Sequence, residues 1–330
     1  MVDYERNFFL PYKGWKKPIY AIPGNHDWFD ALEGFNANFL EPKAARAALQ
    51  SRVSTDLHLT STNARRIETL LKQAKELRRN YEIDVAHQHG PYFEIQTADF
   101  ALLAIDTGIQ RTLDNRQQQW LDDALIRSKG KFTMAILGHP KYAGGVDTTI
   151  SDPHFGALYQ KLEAAGVRVL MAGDTHAFEH YLPTATGTGS PAHHFVNGGG
   201  GAYLSIGGAL AWPKIPATPT WGFYPPPGAV RSKLDAETPA WKQPVWQWVK
   251  RFGAWPVSTE TLSAMFDFNR APFFQSFVEV RVERSRNRVV LAVHGANGPL
   301  RWRDMHLSDT VPASPEDPVE YVLTMGEPKK

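Results

Sequence analysis

The chain has 330 residues, a formal net charge of +2, and is 42% hydrophobic and 21% charged. That is enough chain for a large core, of ordinary globular composition, with too little net charge to argue for a polyanionic partner. It has no cysteine. Disulfides, thiolate nucleophiles and Cys-bound zinc are therefore excluded, and any metal must be held by His, Asp, Glu, Asn or backbone oxygen. Met1–Arg6 lacks an apolar signal-peptide core, and no uncharged apolar run reaches the ~20 residues of a membrane-spanning helix, so a soluble, cytoplasmic chain is expected.

The run Pro18–Ile22 reads as a short buried strand ended by Pro23-Gly24. A helical or irregular aromatic segment, Phe29–Phe39, follows. From Pro42 to about Tyr81 the pattern is helical, best over Asn63–Arg79, where Ile67, Leu70, Leu71, Ala74 and Leu77 share a face. Its Arg and Lys residues read as a solvated face rather than a nucleic-acid surface. Strands are expected at 90–95, 100–105, 131–137 and 167–171, with helices at 114–128 and 155–165 between them. Strands alternating with helices indicate an α/β architecture. Ala211–Pro256 holds six of the ten tryptophans and many prolines, and reads as an ordered insertion of about 202–270. Packing over the core is the favoured use of its aromatics, with membrane-surface docking as the alternative. Phe274–Glu283 and Arg288–Val293 read as a β-hairpin, and residues 311–330 as a loose tail.

Three expected buried strands end in Gly-containing polar clusters: Gly24-Asn25-His26-Asp27, Gly138-His139, and Gly173-Asp174-Thr175-His176. Imidazole, carboxamide and carboxylate suit Zn, Mn or Fe. Each cluster alone has a plain explanation: a capped turn for residues 25–27, a buried strand-end histidine for His139. Repetition of one construction three times points to a common site. His180, His193 and His194 are further candidates as outer or substrate-contacting groups, whereas His87, His89 and Asp106 read as structural or surface residues.

In this order, the clusters resemble the last three motif blocks of the calcineurin-like metallophosphoesterase superfamily, over roughly residues 20–180. The resemblance implies a metallophosphoesterase-like β-sandwich flanked by helices in αββα layers, spanning about 1–310, with a helical insertion at 42–81. It implies a metal-dependent phosphoric ester hydrolase using a metal-activated hydroxide and two divalent ions (Mn, Fe or Zn). Asn25 and His139 would bind one ion and His176 the other, with Asp174, a carboxylate standing where the family usually has His, as a further metal ligand. His26 would protonate the leaving oxygen and Asp27 would orient its imidazole.

The family's earlier Asp-x-His and Gly-Asp-x-x-Asp blocks have no counterpart before Gly24. Asp-x-His recurs at 56–58, 152–154 and 304–306, but none of these follows a buried strand. An N-terminally truncated member is therefore expected, holding one ion or none where a complete family site holds two. The alternative function is a weakly active or inactive member that serves as a binding or interaction domain. The partner expected is a phosphoester of unspecified class, with no nucleic acid indicated.

Overall fold

The structure, a computed structural model, describes residues 2–55, 62–83, 88–185, 190–201, 204, 216–252, 275–308 and 314–326. The chain divides into two compact units. One comprises Met1–Ile95 and Leu103–Trp120, the other Gln96–Leu102 and Leu121–Lys330.

The first unit is mostly helical. A short α1 (Val2–Tyr4) runs into a π-helical turn, Glu5–Phe9, followed by the 3-10 turn Asn25–Asp30 and helices α2 (Glu33–Phe39), α3 (Pro42–Thr55) and α4 (Thr62–Asn80). Leu32, Phe35, Phe39, Leu40 and Ala45 form its core. On α4 the expected face is the inward one: Ile67 and Ala74 are buried and Leu70, Leu71 and Leu77 partly so. Arg78 departs from the expected solvated face. It donates to the carbonyls of Ala37 (3.3 Å) and Asn38 (2.9 Å), satisfying the C-terminal end of α2.

Pro18–Ile22 is not a strand. Pro18 and Pro23 remove two N–H donors from a very short run, which leaves too few for a ladder. The segment is held instead by the buried Gln88. Its side-chain oxygen accepts the Ala21 N–H at 2.9 Å, and its amide nitrogen donates to the Ala21 and Gly90 carbonyls at 2.9 and 2.8 Å.

The second unit is built on sheet. Strands β1 (Phe93–Gln96) and β2 (Phe100–Ile105) enter it through Gln96–Leu102. Then come β3 (Phe132–Leu137), a small ribbon of β4 (Tyr142–Ala143) and β5 (Val146–Asp147), β6 (Val169–Ala172), β7 (Phe178–Leu182) and β8 (His193–Asn197). β9 (Thr220–Tyr224) and β13 (His306–Leu307) complete the order β1-β2-β3-β6-β8-β7-β9-β13. Met134 to Leu137 pair in parallel with Val169 to Ala172, which pair in parallel with His193 to Val196. The C-terminal ends of β3, β6 and β8 therefore share one rim, the position where open α/β sheets present ligand-binding groups.

A second sheet packs on this one. It joins the hairpin β10 (Ser276–Glu283) and β11 (Arg288–Gly295) with β12 (Gly298–Pro299) and β14 (Glu320–Thr324). Phe132, Met134, Val169, Met171, Phe178 and Phe195 meet Val289, Leu291, Val293 and Leu323 in one core. Two-residue periodicity explains the division of labour on β8: His193 and Phe195 face this core, whereas His194 lies against Tyr159 of α6 (Pro153–Ala164). Asp152 caps α6, its Oδ1 accepting the Phe155 N–H at 3.1 Å. A helix α5 (Asn115–Arg127) follows Asp114, which accepts the Gln117 N–H at 2.7 Å. The layered sandwich flanked by helices is thus the fold observed.

Two segments depart from expectation. The loose tail gives way to β14, whose Leu291↔Tyr321 and Val289↔Leu323 pairs carry Tyr321 and Leu323 onto the core. Within the Trp/Pro-rich region, β9 is a strand of the large sheet paired with β7, Tyr181 facing Trp221, rather than part of a separate insertion. Beyond β9, helices α7 (Pro227–Glu237) and α8 (Gln243–Phe252) bury Trp246 and Val249 and leave Trp241 exposed. Trp212, Trp255, His58, His87 and Phe274 lie outside the described residues. Among the described residues, no helix is long and apolar enough to cross a membrane.

Candidate functional site

Asn25, His26 and Asp27 lie in the first unit, at the start of the 3-10 turn. Gly24 is extended, and the turn closes when Asp27 Oδ2 accepts the Gly24 N–H at 2.9 Å. The other oxygen, Oδ1, accepts the Tyr4 hydroxyl. Burial and the facing carboxylate together push the Tyr4 phenol well above its ordinary range. Both oxygens of Asp27 are thus engaged with Gly24 and Tyr4, and the exposed His26 ring packs on Phe29 at 5.0 Å. One residue further on, the Trp28 indole N–H donates to Asp106 Oδ1 at 3.1 Å, and that oxygen also accepts the Gly108 N–H at 2.9 Å. Gln117 holds the backbone of Asp106 from both sides, at 2.9 and 2.8 Å. The turn is therefore fixed at both ends, by Tyr4 and by Asp106, with His26 projecting between. The sequence reading missed Tyr4, and its only signal is an aromatic residue in the opening turn.

His139, Asp174 and His176 lie in the second unit, on the rim shared by β3 and β6. His139 is buried, edge-on to Phe155 at 6.4 Å, and its carbonyl accepts the Tyr159 hydroxyl at 2.8 Å. Asp174 is exposed, with a left-handed backbone (φ +65°). The turn is tightened by Thr175 N–H donating to Gly173 O at 2.8 Å and Ala177 N–H to Thr175 O at 2.9 Å. Next to it, at the end of β8, Gly198 is required: a Cβ there would stand 2.1 Å from the Thr175 carbonyl oxygen. The Gly-rich run after Val196 thus lets the 174–176 turn sit against the end of β8.

The remaining histidines separate clearly. The buried His180 and the half-buried His193 form an imidazole pair, Nε2 to Nδ1 at 3.0 Å, with His180 under Tyr321. Burial drives both toward the neutral form, His193 down to about 4. His194 lies 3.3 Å from Glu163, which also binds Lys141 at 2.7 Å. His89 is an exposed partner of Glu41 at 3.0 Å.

A sequence model of the calcineurin-like phosphoesterase family (Metallophos) matches residues 2–178, more than half of the chain. The chain belongs to the calcineurin-like phosphoesterase family. Among solved structures, it is similar to a purple acid phosphatase isolated from yellow lupin (Lupinus luteus) seeds, with 12% identity and a TM-score of 0.37. That similarity covers 72% of this chain and 36% of the lupin one, so this chain spans little more than a third of that protein's length. No curated protein matches the sequence.

The calcineurin-like phosphoesterase family is metal-dependent. Among the described residues of this member, however, no three His, Asp or Glu side chains are gathered to hold a metal ion. His139 and the 174–176 turn share a rim without closing a cage, and the exposed Asp174 supplies a carboxylate where the family pattern has an imidazole. Within the second unit, His139, Asp174 and His176 therefore do not form a three-donor metal site by themselves.

Proposed function

We propose that the chain acts on phosphoesters, with His26 as the group that delivers a proton to the leaving oxygen. The observation supporting this is the exposed imidazole of His26 on a turn anchored by Tyr4–Asp27 on one side and Trp28–Asp106 on the other. A proton donor is effective when its position is set before substrate arrives. Asp27 contributes by fixing the turn through Gly24 and Tyr4. The metal-binding roles of Asn25, His139, Asp174 and His176 rest on the family resemblance alone. The substrate class is a phosphoric ester.

A second reading, phosphoester binding without turnover, is favoured by the lack of a three-donor group among the described residues. One experiment separates the two. Metal content is measured by mass spectrometry, turnover with bis(p-nitrophenyl) phosphate in added Mn²⁺, and binding by calorimetry with inorganic phosphate. The hydrolase reading expects turnover that falls about 100-fold or more in His26→Ala, without change in metal content. Equal turnover in His26→Ala removes the role of His26. Phosphate binding with no turnover selects the second reading.

A further inference from the structure

On β7, Phe178 and His180 face the sandwich core, so Glu179 and Tyr181 point to the opposite face, toward the β4–β5 ribbon. Glu179 is 4% exposed and Tyr181 fully buried. The turn of the ribbon is Gly144-Gly145, both with positive φ (56° and 81°), so its backbone N–H groups are aimed where side-chain residues rarely put them. Gly144 N–H donates to both Glu179 oxygens at 2.9 and 3.2 Å, Gly145 N–H donates to the Tyr181 hydroxyl oxygen at 2.7 Å, and that hydroxyl donates to Glu179 Oε2 at 2.6 Å. On its other side the turn holds the start of the β9 segment: Gly145 O accepts the Ala217 N–H at 2.9 Å, and Pro216 lies against Gly145.

We propose that Glu179 is a proton-controlled positioning residue, whose ionised carboxylate locks the Gly144-Gly145 turn and with it the His139–Asp147 segment and the approach to β9.

The argument is one of donors and acceptors. With Glu179 ionised, three donors (Gly144 N–H, Gly145 N–H and the Tyr181 hydroxyl) all meet acceptors. Protonation adds a fourth hydrogen to this closed set. The carboxyl proton is then directed at the Tyr181 oxygen, which already accepts from Gly145, and the Tyr181 hydrogen loses its acceptor. A charge-assisted set is replaced by a weaker neutral one with a hydrogen left over. Burial raises the Glu179 carboxyl to about 7, against the lowering effect of Tyr181 and Gly144, so the exchange falls near neutrality. Facing groups on neighbouring elements are Tyr142 on β4 (5.2 Å from the Tyr181 ring), Phe223 on β9 and Val196 on β8. The nearby charged or titratable groups Lys141, Asp147, Glu163 and His194 act on one another. The proposal is independent of the phosphoester reading.

The test follows the amide signals of Gly144 and Gly145 by ¹H–¹⁵N NMR on the full chain between pH 5 and 8.5. Amide exchange, corrected for intrinsic rates, is measured alongside. Expected are one titration centred near 7 and protection of both amides about tenfold lower on its acid side. Glu179→Gln, which keeps size and shape, should abolish the titration. Tyr181→Phe, which removes a donor to the ionised form, should move it upward. Flat shifts across the range in the folded protein, or a titration that persists in Glu179→Gln, overturn the proposal.

Discussion

Tyr4 donates its hydroxyl to Asp27 Oδ1 across 23 residues of sequence, while the same carboxylate caps its own turn through the Gly24 N–H at 2.9 Å. The carboxylate that the family resemblance assigns to orienting His26 also fixes the turn that carries it. Tyr4→Phe leaves Oδ1 without its donor. The expected cost is about 1–2 kcal/mol, read as a lower urea midpoint, together with a loss of turnover smaller than that of His26→Ala. An unchanged midpoint would show that Tyr4 does not hold the turn.

Gly198→Ala places a methyl 2.1 Å from the Thr175 carbonyl oxygen, a backbone atom that cannot swing aside. Displacement of the 174–176 turn and a loss of about 2 kcal/mol or more are expected. Gly201→Ala, three residues on, meets nothing within 4 Å and serves as the control. Thermal unfolding of the two variants should differ clearly, and equal midpoints would contradict the close approach.

The raised Glu179 carboxyl has a consequence for global stability. Burial of the carboxyl outweighs its hydrogen bonds to Tyr181 and Gly144, so folding as a whole favours the protonated form even though the ionised form holds the turn more tightly. The stabilising contribution is complete below 4.5 and lost as pH rises through about 7. The loss is about 3 kcal/mol. Glu179→Gln should be more stable than the native chain above pH 7 and should lose this part of the pH slope. Denaturant titrations at pH 5 and 8 measure it.

The His180–His193 pair acts in the opposite sense. Folding favours the neutral rings, so stability is complete above 6.5 and is lost as pH falls toward about 4, where His193 titrates in the fold. For His193 alone this is about 3 kcal/mol. His193→Phe should flatten the acid limb between pH 6 and 4, as followed by far-UV circular dichroism. An unchanged acid limb would assign acid unfolding to other groups.

Much of the second unit was legible because its parallel strands β3 and β6 are largely buried, so Phe132–Leu137 and Val169–Ala172 stand out as apolar runs. The strand ends named the rim residues for the same reason. β14 was hidden because five residues of modest hydropathy gain their core contact only after pairing with β11. β9 was hidden among tryptophans and prolines that resemble an insertion. The turn chemistry was least legible. The positive φ of Asp174, and the capture of Asp27 by a tyrosine in the opening turn, depend on neighbours distant in sequence.

Gln88 gives its side-chain amide to Ala21 as a peptide group would, donating once and accepting once, at the place where a strand was expected. A ladder distributes its grip over several peptides and tolerates the loss of any one. Here both backbone groups of Ala21, on the approach to the histidine turn, bond to one side chain, which a single base change can replace. The alignment of the turn is thus open to adjustment by point substitution, while the sheet that carries the second rim is buffered against it.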